Sequence, residues 1–256
     1  VMYIIQNVVE SKAITCVGEE DEVKIGGERF LEFTARCCKE GILPENCYCV
    51  RLYRTTYEGE RLVNTTQVNY VDPLDRKQIL EADQELRHQM NIITDFLRKY
   101  VPGYEHCTIK TGASTLGIRE SRRFSGKYVM NISDLREARR FPDVVVHKAQ
   151  FVVDIHNPVG GGQANGIAEY VDAYDIPWRS LVPQKMENLI LAGRCISGTH
   201  EAMASYRVMA IAMAIGEAAG IGAALAIDHD VTPENLDVKY IQKALMDKGA
   251  VLFDEK

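Results

Sequence analysis

The spacings typical of a metal site are missing from this sequence. Its 256 residues include no Cys-x-x-Cys and no His-x-x-x-His, so we predict that it binds no metal. Its seven cysteines are an odd number, and a chain of this length can bury a core without disulfide bonds. We therefore expect reduced thiols, which favour a cytoplasmic location. Internal repeats and low-complexity linkers are absent as well.

An excess of positive charge is also missing. The formal net charge of -6 and the isoelectric point near 5.6 argue against a surface for nucleic acid. Basic residues cluster only at 119–123 and 136–140, and acidic residues interrupt both clusters. The chain begins with Val1 rather than Met and without the pattern of a secretory signal. We expect it to begin at an internal point of a longer protein.

The most apolar stretch, residues 208–227, lacks the composition of a typical membrane span. Glu217 lies at its middle, where a charge costs about 2.5–3.5 kcal/mol on insertion scales. The stretch is also built from Ala and Gly rather than Leu and Phe, so it gains little from lipid. We predict a buried helix in a soluble protein and no membrane partner.

Periodicity predicts helices over residues 29–40 and 75–100 and a hairpin formed by 49–54 and 61–70. In the longer helix, Leu86, Met90, Ile93 and Leu97 form one apolar stripe, typical of packing beside a sheet. A mostly antiparallel sheet is predicted from further short strand candidates, at residues 107–111, 127–130, 143–147, 150–155 and 166–171. A last helix is expected to start at 232–234.

Residues 187–226 are the most informative segment. A buried parallel strand at 188–192 is predicted to deliver Gly193 to its carboxyl end, where ligands lie in open α/β sheets. A helix starting near Ser205 and Tyr206 would point its free N–H groups and positive dipole end toward the same place. Small residues at every fourth position from Ala210 to Gly222 allow a close approach. A tightly packed core helix that touches no ligand explains these residues equally well.

This segment resembles the C-terminal signature of bacterial FAD-dependent oxidoreductases with a glutathione-reductase-type FAD domain. Further blocks similar to that family occur in the family's order and extend the resemblance over nearly the whole chain to about Ile227: residues 30–44, 117–128, 154–156 and 174–183. The resemblance implies an oxidoreductase that transfers hydride between a small organic substrate and FAD.

The fold implied by the resemblance is α/β (α+β). We expect a substrate-binding domain with a mostly antiparallel sheet at 1–183, the C-terminal strand and helix of the FAD-binding domain at 184–230, and a helical tail at 231–256. The G-x-G-x-x-G loop that holds the FAD pyrophosphate is missing. We therefore expect the Rossmann half to be absent from this chain, the missing N-terminal segment to be its partner, and the chain alone to be inactive.

The resemblance also suggests the residues that contact FAD: Gly193, Arg194, Ser205, Arg207 and Val208. Related flavoproteins often have an acid after the glycine. Arg194 instead suits an anion, such as a cofactor phosphate.

Arg119 is the predicted substrate-binding residue. If residues 115–123 form a strand, Arg119 and Arg123 share one face, and Glu120 lies on the other. The arrangement is similar to a strand of amino-acid-oxidase-like flavoproteins whose arginine binds the substrate carboxylate, so a carboxylate is among the expected substrates. A solvated ladder of Arg and Glu is the structural alternative.

His200 lies between Gly193 and the Ala-rich helix and is predicted to act as a general acid or base, or to order the loop by capping. His156 is a second catalytic candidate. Two other functions remain open at this point. The chain could be an isolated domain without activity that binds a partner or its missing half, or it could be a non-catalytic dinucleotide-binding module.

Overall fold

The computed structural model describes residues 1–18, 21–155 and 168–254, which form two compact units. The first unit comprises described residues up to Arg119, and the second comprises 120–155 and 168–254. The predicted functional domains, 1–183, 184–230 and 231–256, stay a prediction, because compactness alone does not show which part binds a cofactor.

The first unit is a four-stranded antiparallel sheet with two helices. Its sheet has the order β4-β5-β1-β6, and β2 pairs with β3 in a separate two-stranded ribbon. The elements are β1 Tyr3–Gln6, β2 Lys24–Ile25, β3 Glu28–Arg29, α1 Phe30–Lys39, β4 Arg51–Arg54, β5 Arg61–Asn64, α2 Arg76–Tyr100 and β6 Thr108–Gly112. Both predicted helices, the predicted hairpin and the strand near 107–111 are confirmed.

Helix α2 shows why the sequence predicts this unit well. The Asp75 side chain accepts hydrogen bonds from the N–H groups of Lys77 and Gln78 and so caps the first turn. Three residues of the predicted apolar stripe, Met90, Ile93 and Leu97, are buried in one core with residues of β1 and β5. The helix therefore follows from a cap and a periodic face, both of which are local in sequence.

The second unit also mixes helices with antiparallel strands. Its elements are α3 Ile132–Arg136, β7 Val144–Ala149, β8 Tyr174–Pro177, α4 His200–Tyr206, α5 Met209–Asp228 and α6 Val238–Asp247, with 3₁₀ turns at Trp178–Ser180 and Gly193–Cys195. Strands β7 and β8 pair antiparallel, and α5 packs against β7, α6 and the second 3₁₀ turn. The architecture of both units is α+β.

Several predicted elements of this unit are wrong. Residues 188–192 are not a strand: Leu191 N–H bonds to the Leu181 carbonyl, and no described residue continues a ladder. Residues 127–130 and 150–155 form only isolated bridges, and the predicted strand at 166–171 is reduced to one bridge at Glu169, with its first two residues outside the described chain. A strand requires a partner along its length, and an apolar run alone does not supply one.

Helix starts in this unit also differ from the prediction. The Ala-rich helix α5 begins at Met209, because the chain leaves helical geometry at Val208, whose φ is -73° and ψ is 153°. Helix α6 begins at Val238, after Asp237 caps its first turn, and residues 232–234 form a turn instead.

Helix α5 is less buried than predicted. One side, including Ile211, Ile215 and Ala218, is buried, whereas Met209 is 83% exposed and Ile227 is 81% exposed. Among the described residues it is the one helix whose length and composition would allow it to cross a membrane, a test that core helices also pass. The predicted absence of a membrane partner stays a prediction.

Gly222 gives α5 its closest contact with the core. A Cβ atom at this position would overlap Cη2 of Trp178, a residue that is 4% exposed. The indole therefore packs directly on the helix backbone, which only glycine permits. By contrast, a Cβ at Gly216 or Gly220 of the same helix would meet nothing within 4 Å.

We predict that Gly222→Ala lowers the free energy of unfolding by about 1–3 kcal/mol, because the added methyl overpacks a buried ring. Gly216→Ala is the matched control and is expected to be neutral or stabilising by up to about 1 kcal/mol, since alanine favours a helix. Urea unfolding of both variants measures the difference. Equal stabilities for the two variants would contradict the packing argument.

Candidate functional site

The turn after Ala192 is open on its outer side. Gly193 has a φ of 72°, a left-handed conformation that favours glycine, and a Cβ there would meet nothing within 4 Å. Gly193 begins the 3₁₀ turn that packs against α5, and Arg194 beside it is exposed. The turn therefore presents bare backbone and a guanidinium next to α5.

The start of α5 is accessible as well. Val208 is the N-cap residue and provides no side-chain hydrogen bond to the first turn. Met209 and Ala210 that follow are exposed. The N–H groups of a first helical turn lack partners within the helix, and the positive end of the helix dipole lies there. An electron-rich group would be stabilised at this end, as the sequence predicts, although the helix begins later than predicted.

Ser205 has its hydrogen bonds inside the second unit. It is fully buried, its hydroxyl donates to the Phe151 carbonyl at 2.7 Å, and it pairs with the Tyr174 hydroxyl at 2.8 Å. Burial raises the pKa of Tyr174 to about 12, so that hydroxyl stays protonated and can donate to Ser205. These contacts connect α4 to the core and leave the Ser205 hydroxyl engaged by protein atoms.

Arg207 is likewise paired. Its Nη2 donates to the Asp154 carboxylate at 2.6 Å and to the Asp154 carbonyl at 3.0 Å. Both side chains are mostly buried, with 12% of Arg207 and 15% of Asp154 exposed. This ion pair holds the two-residue break between α4 and α5, and so it fixes where Val208 starts the longer helix.

The segment around Arg119 is not the predicted strand. Residues 116–125 have no regular secondary structure, and Arg119 is exposed. Glu120 and Arg123, which a strand would place on opposite faces, form an ion pair instead. The chain turns here because Phe124 N–H bonds to the Cys195 carbonyl and Met130 N–H bonds to the Ser197 carbonyl, which aligns this segment with the one before α4.

His200 is the first residue of α4, and its Nδ1 lies 2.6 Å from Glu120 Oε2. The Thr199 side chain caps the same helix by accepting from Ala202 N–H. The structure thus brings together His200, Glu120 and Arg123, of which only His200 is predicted as a site residue. The sequence contains no signal for this pairing, since 80 residues separate Glu120 from His200.

Those of the remaining candidates that lie in the described residues give no further site. His156 lies outside the described residues. None of the seven cysteines forms a disulfide bond, and burial raises the pKa of Cys16 and Cys47 to about 12, which makes these two thiols unreactive. No three His, Cys, Asp or Glu side chains group as metal ligands within the described parts of the chain.

Comparison with known families decides the class of the protein. The family described as FAD dependent oxidoreductase matches residues 1–245. The chain belongs to this family. No curated protein and no solved structure matches it. As a member of the FAD-dependent oxidoreductases, the protein is of oxidoreductase type, and its family implies the use of FAD.

We predict that Ser205 has a structural role in this FAD-dependent oxidoreductase. Ser205→Ala should lower the free energy of unfolding by about 1–3 kcal/mol, because two buried polar groups lose a partner. Exposed Ser121→Ala is the control and should change it by less than about 0.5 kcal/mol. Urea unfolding and the flavin content of the folded protein test this prediction. A loss of flavin without a loss of stability would instead assign Ser205 to the cofactor.

Proposed function

We propose that the protein transfers hydride between a small organic substrate and non-covalent FAD. The observation that carries this proposal is the open Gly193 turn packed beside the accessible start of α5. Bare backbone allows a flat ring to approach closely, and the helix start stabilises electron density on that ring. The family match supplies the identity of the cofactor.

The described residues fit FAD in part. Gly193 would let the ring approach, Arg194 would pair with an anionic group of the cofactor, and the backbone after Val208 would face its electron-rich edge. Ser205 and Arg207 would act indirectly, without contacting FAD. Their hydrogen bonds would hold α4 and the break before α5 in place. Bound FAD would supply the hydride chemistry, whereas these residues supply position and charge.

We also propose that a segment outside this sequence completes the cofactor site. The chain has no G-x-G-x-x-G loop for the pyrophosphate. Residues 189–192 are apolar, and among the described residues they make a single backbone hydrogen bond outside the run, from Leu191 N–H to the Leu181 carbonyl. Met209, Met213 and Ile227 leave an apolar side of α5 exposed. A Rossmann segment would pair with the apolar run before Gly193. It would also cover the exposed apolar side of α5.

A role in substrate binding is proposed for Arg119, and a separate role in proton transfer is proposed for His200. An exposed guanidinium can bind a carboxylate by two parallel hydrogen bonds, and an imidazole can transfer a proton at neutral pH. The substrate class favoured by Arg119 is a small carboxylate. Reducing conditions suit a protein whose cysteines form no disulfide bond, so the proposed location is the cytoplasm.

Two substitutions in the full-length protein separate cofactor binding from substrate binding. We expect Arg194→Ala to weaken FAD binding by about tenfold to a hundredfold, the effect of losing one charge-assisted hydrogen bond. Arg119→Ala should keep its FAD and lose reduction of the flavin by small carboxylates. Flavin absorbance measures both quantities.

Arg122→Ala is the matched control, since it removes a neighbouring exposed arginine and should change neither quantity. A full-length protein that purifies colourless and does not take up added FAD would contradict the proposed function. It would leave the alternative of a domain without activity.

A further inference from the structure

We propose that Glu120 is the positioning residue of His200, and that together they take up the proton that a substrate loses as it is oxidised. This inference rests on the proposed function and narrows its substrate class. The carbon that gives up hydride would carry an O–H or N–H group, as in a 2-hydroxy acid or a 2-amino acid.

The geometry around Glu120 fixes its carboxylate from both sides. One oxygen, Oε2, lies 2.6 Å from His200 Nδ1, and the other, Oε1, pairs with Arg123 Nη1. Arg123 is itself anchored, because its Nε donates to the Gly198 carbonyl at 2.9 Å. Only 28% of the Glu120 side chain and 23% of the Arg123 side chain are exposed. The carboxylate is therefore held by two partners and partly screened from water.

The backbone that carries His200 is also fixed. Thr199 N–H bonds to the Met130 carbonyl at 2.7 Å, and the Tyr206 hydroxyl donates to the Ile196 carbonyl at 3.2 Å. A Cβ at Gly198 would lie 2.6 Å from that hydroxyl, so the close contact requires glycine. His200 follows directly as the first residue of α4.

These contacts select one form of the imidazole. An ionised carboxylate only accepts hydrogen bonds, so the proton of neutral His200 must lie on Nδ1. Nε2 then has a lone pair. Within residues 1–18, 21–155 and 168–254, no group hydrogen-bonds to Nε2, and half of the side chain, 51%, is exposed. The pair thus offers a proton acceptor whose orientation is set in advance.

The chemistry of the proposed step balances. The C–H bond of the substrate would break, and oxidised FAD, when bound, would accept the hydrogen and its electron pair as hydride. The O–H or N–H proton moves to His200 Nε2, and the remaining electron pair forms the C=O or C=N bond. The Glu120 carboxylate stabilises the imidazolium that results, and solvent later removes its proton.

The tautomer of His200 tests the positioning role without FAD or substrate. In protein labelled with ¹⁵N-histidine, long-range proton–nitrogen NMR spectra show which ring nitrogen carries the proton, and His200→Asn assigns the signals. We expect the wild type to be mainly in the Nδ1–H form. Glu120→Gln should lower the ratio of the Nδ1–H form to the Nε2–H form by about tenfold or more, the effect of losing one charged hydrogen bond.

Glu201→Gln is the matched control, because it removes the neighbouring charge on α4 and should leave this ratio unchanged. If Glu120→Gln does not fold, Glu120→Asp tests the same point with a carboxylate that is one methylene shorter. An unchanged ratio, or a wild type mainly in the Nε2–H form, would overturn the inference while leaving hydride transfer itself intact.

Flavin reduction in the full-length protein tests the substrate class. Lactate and alanine should bleach the flavin, whereas propionate, which lacks the hydroxyl or amino group, should not. Glu120→Gln and His200→Gln should slow bleaching with unchanged FAD content. Bleaching by propionate, or by no member of this set, would overturn the stated class. A protein that holds no FAD would overturn the proposed function, and the NMR result would still report separately on Glu120.

Discussion

The packing of Trp178 against the bare backbone of α5 at Gly222 is the constraint on which the second unit depends. It sets how closely this helix approaches the core that it shares with β7 and α6. The same helix also packs against the 3₁₀ turn that starts at Gly193. Because the core fixes α5 along its length, the helix start and the Gly193 turn keep a defined position beside each other.

The predicted site residues near the Gly193 turn and the start of α5 fall into two groups. Gly193 leaves the backbone of the turn uncovered and Arg194 is exposed beside it, and Ser205 and Arg207 hydrogen-bond to other residues of the second unit. The hydrogen bonds of Ser205 and Arg207 hold the chain at the break between α4 and α5, directly before α5 begins at Met209. Sequence resemblance predicts that all four residues contact FAD, and this stays a prediction.

Local patterns account for most of what the sequence predicts correctly. The cap at Asp75 and the periodic stripe of α2 lie within one segment, as do the alternating strands of the hairpin β4-β5. Residues 188–192 also form a local apolar pattern, which predicts a strand. A strand, however, needs a neighbouring strand to pair with, and the pattern gives no information about that neighbour. The Glu120–His200 pair depends on a turn of the chain and on contacts between residues distant in sequence. The alternation of Arg and Glu along residues 119–123 predicts a strand with Glu120 and Arg123 on opposite faces, whereas the two side chains form an ion pair.

The central claim is that a flavin ring lies against the Gly193 turn and the start of α5. Hydrogen–deuterium exchange of the full-length protein with and without FAD measures this most directly, since it reports each segment's backbone amides. We predict slower exchange at residues 193–196 and 209–211 when FAD is added. Slower exchange elsewhere, with these two segments unchanged, would contradict the account.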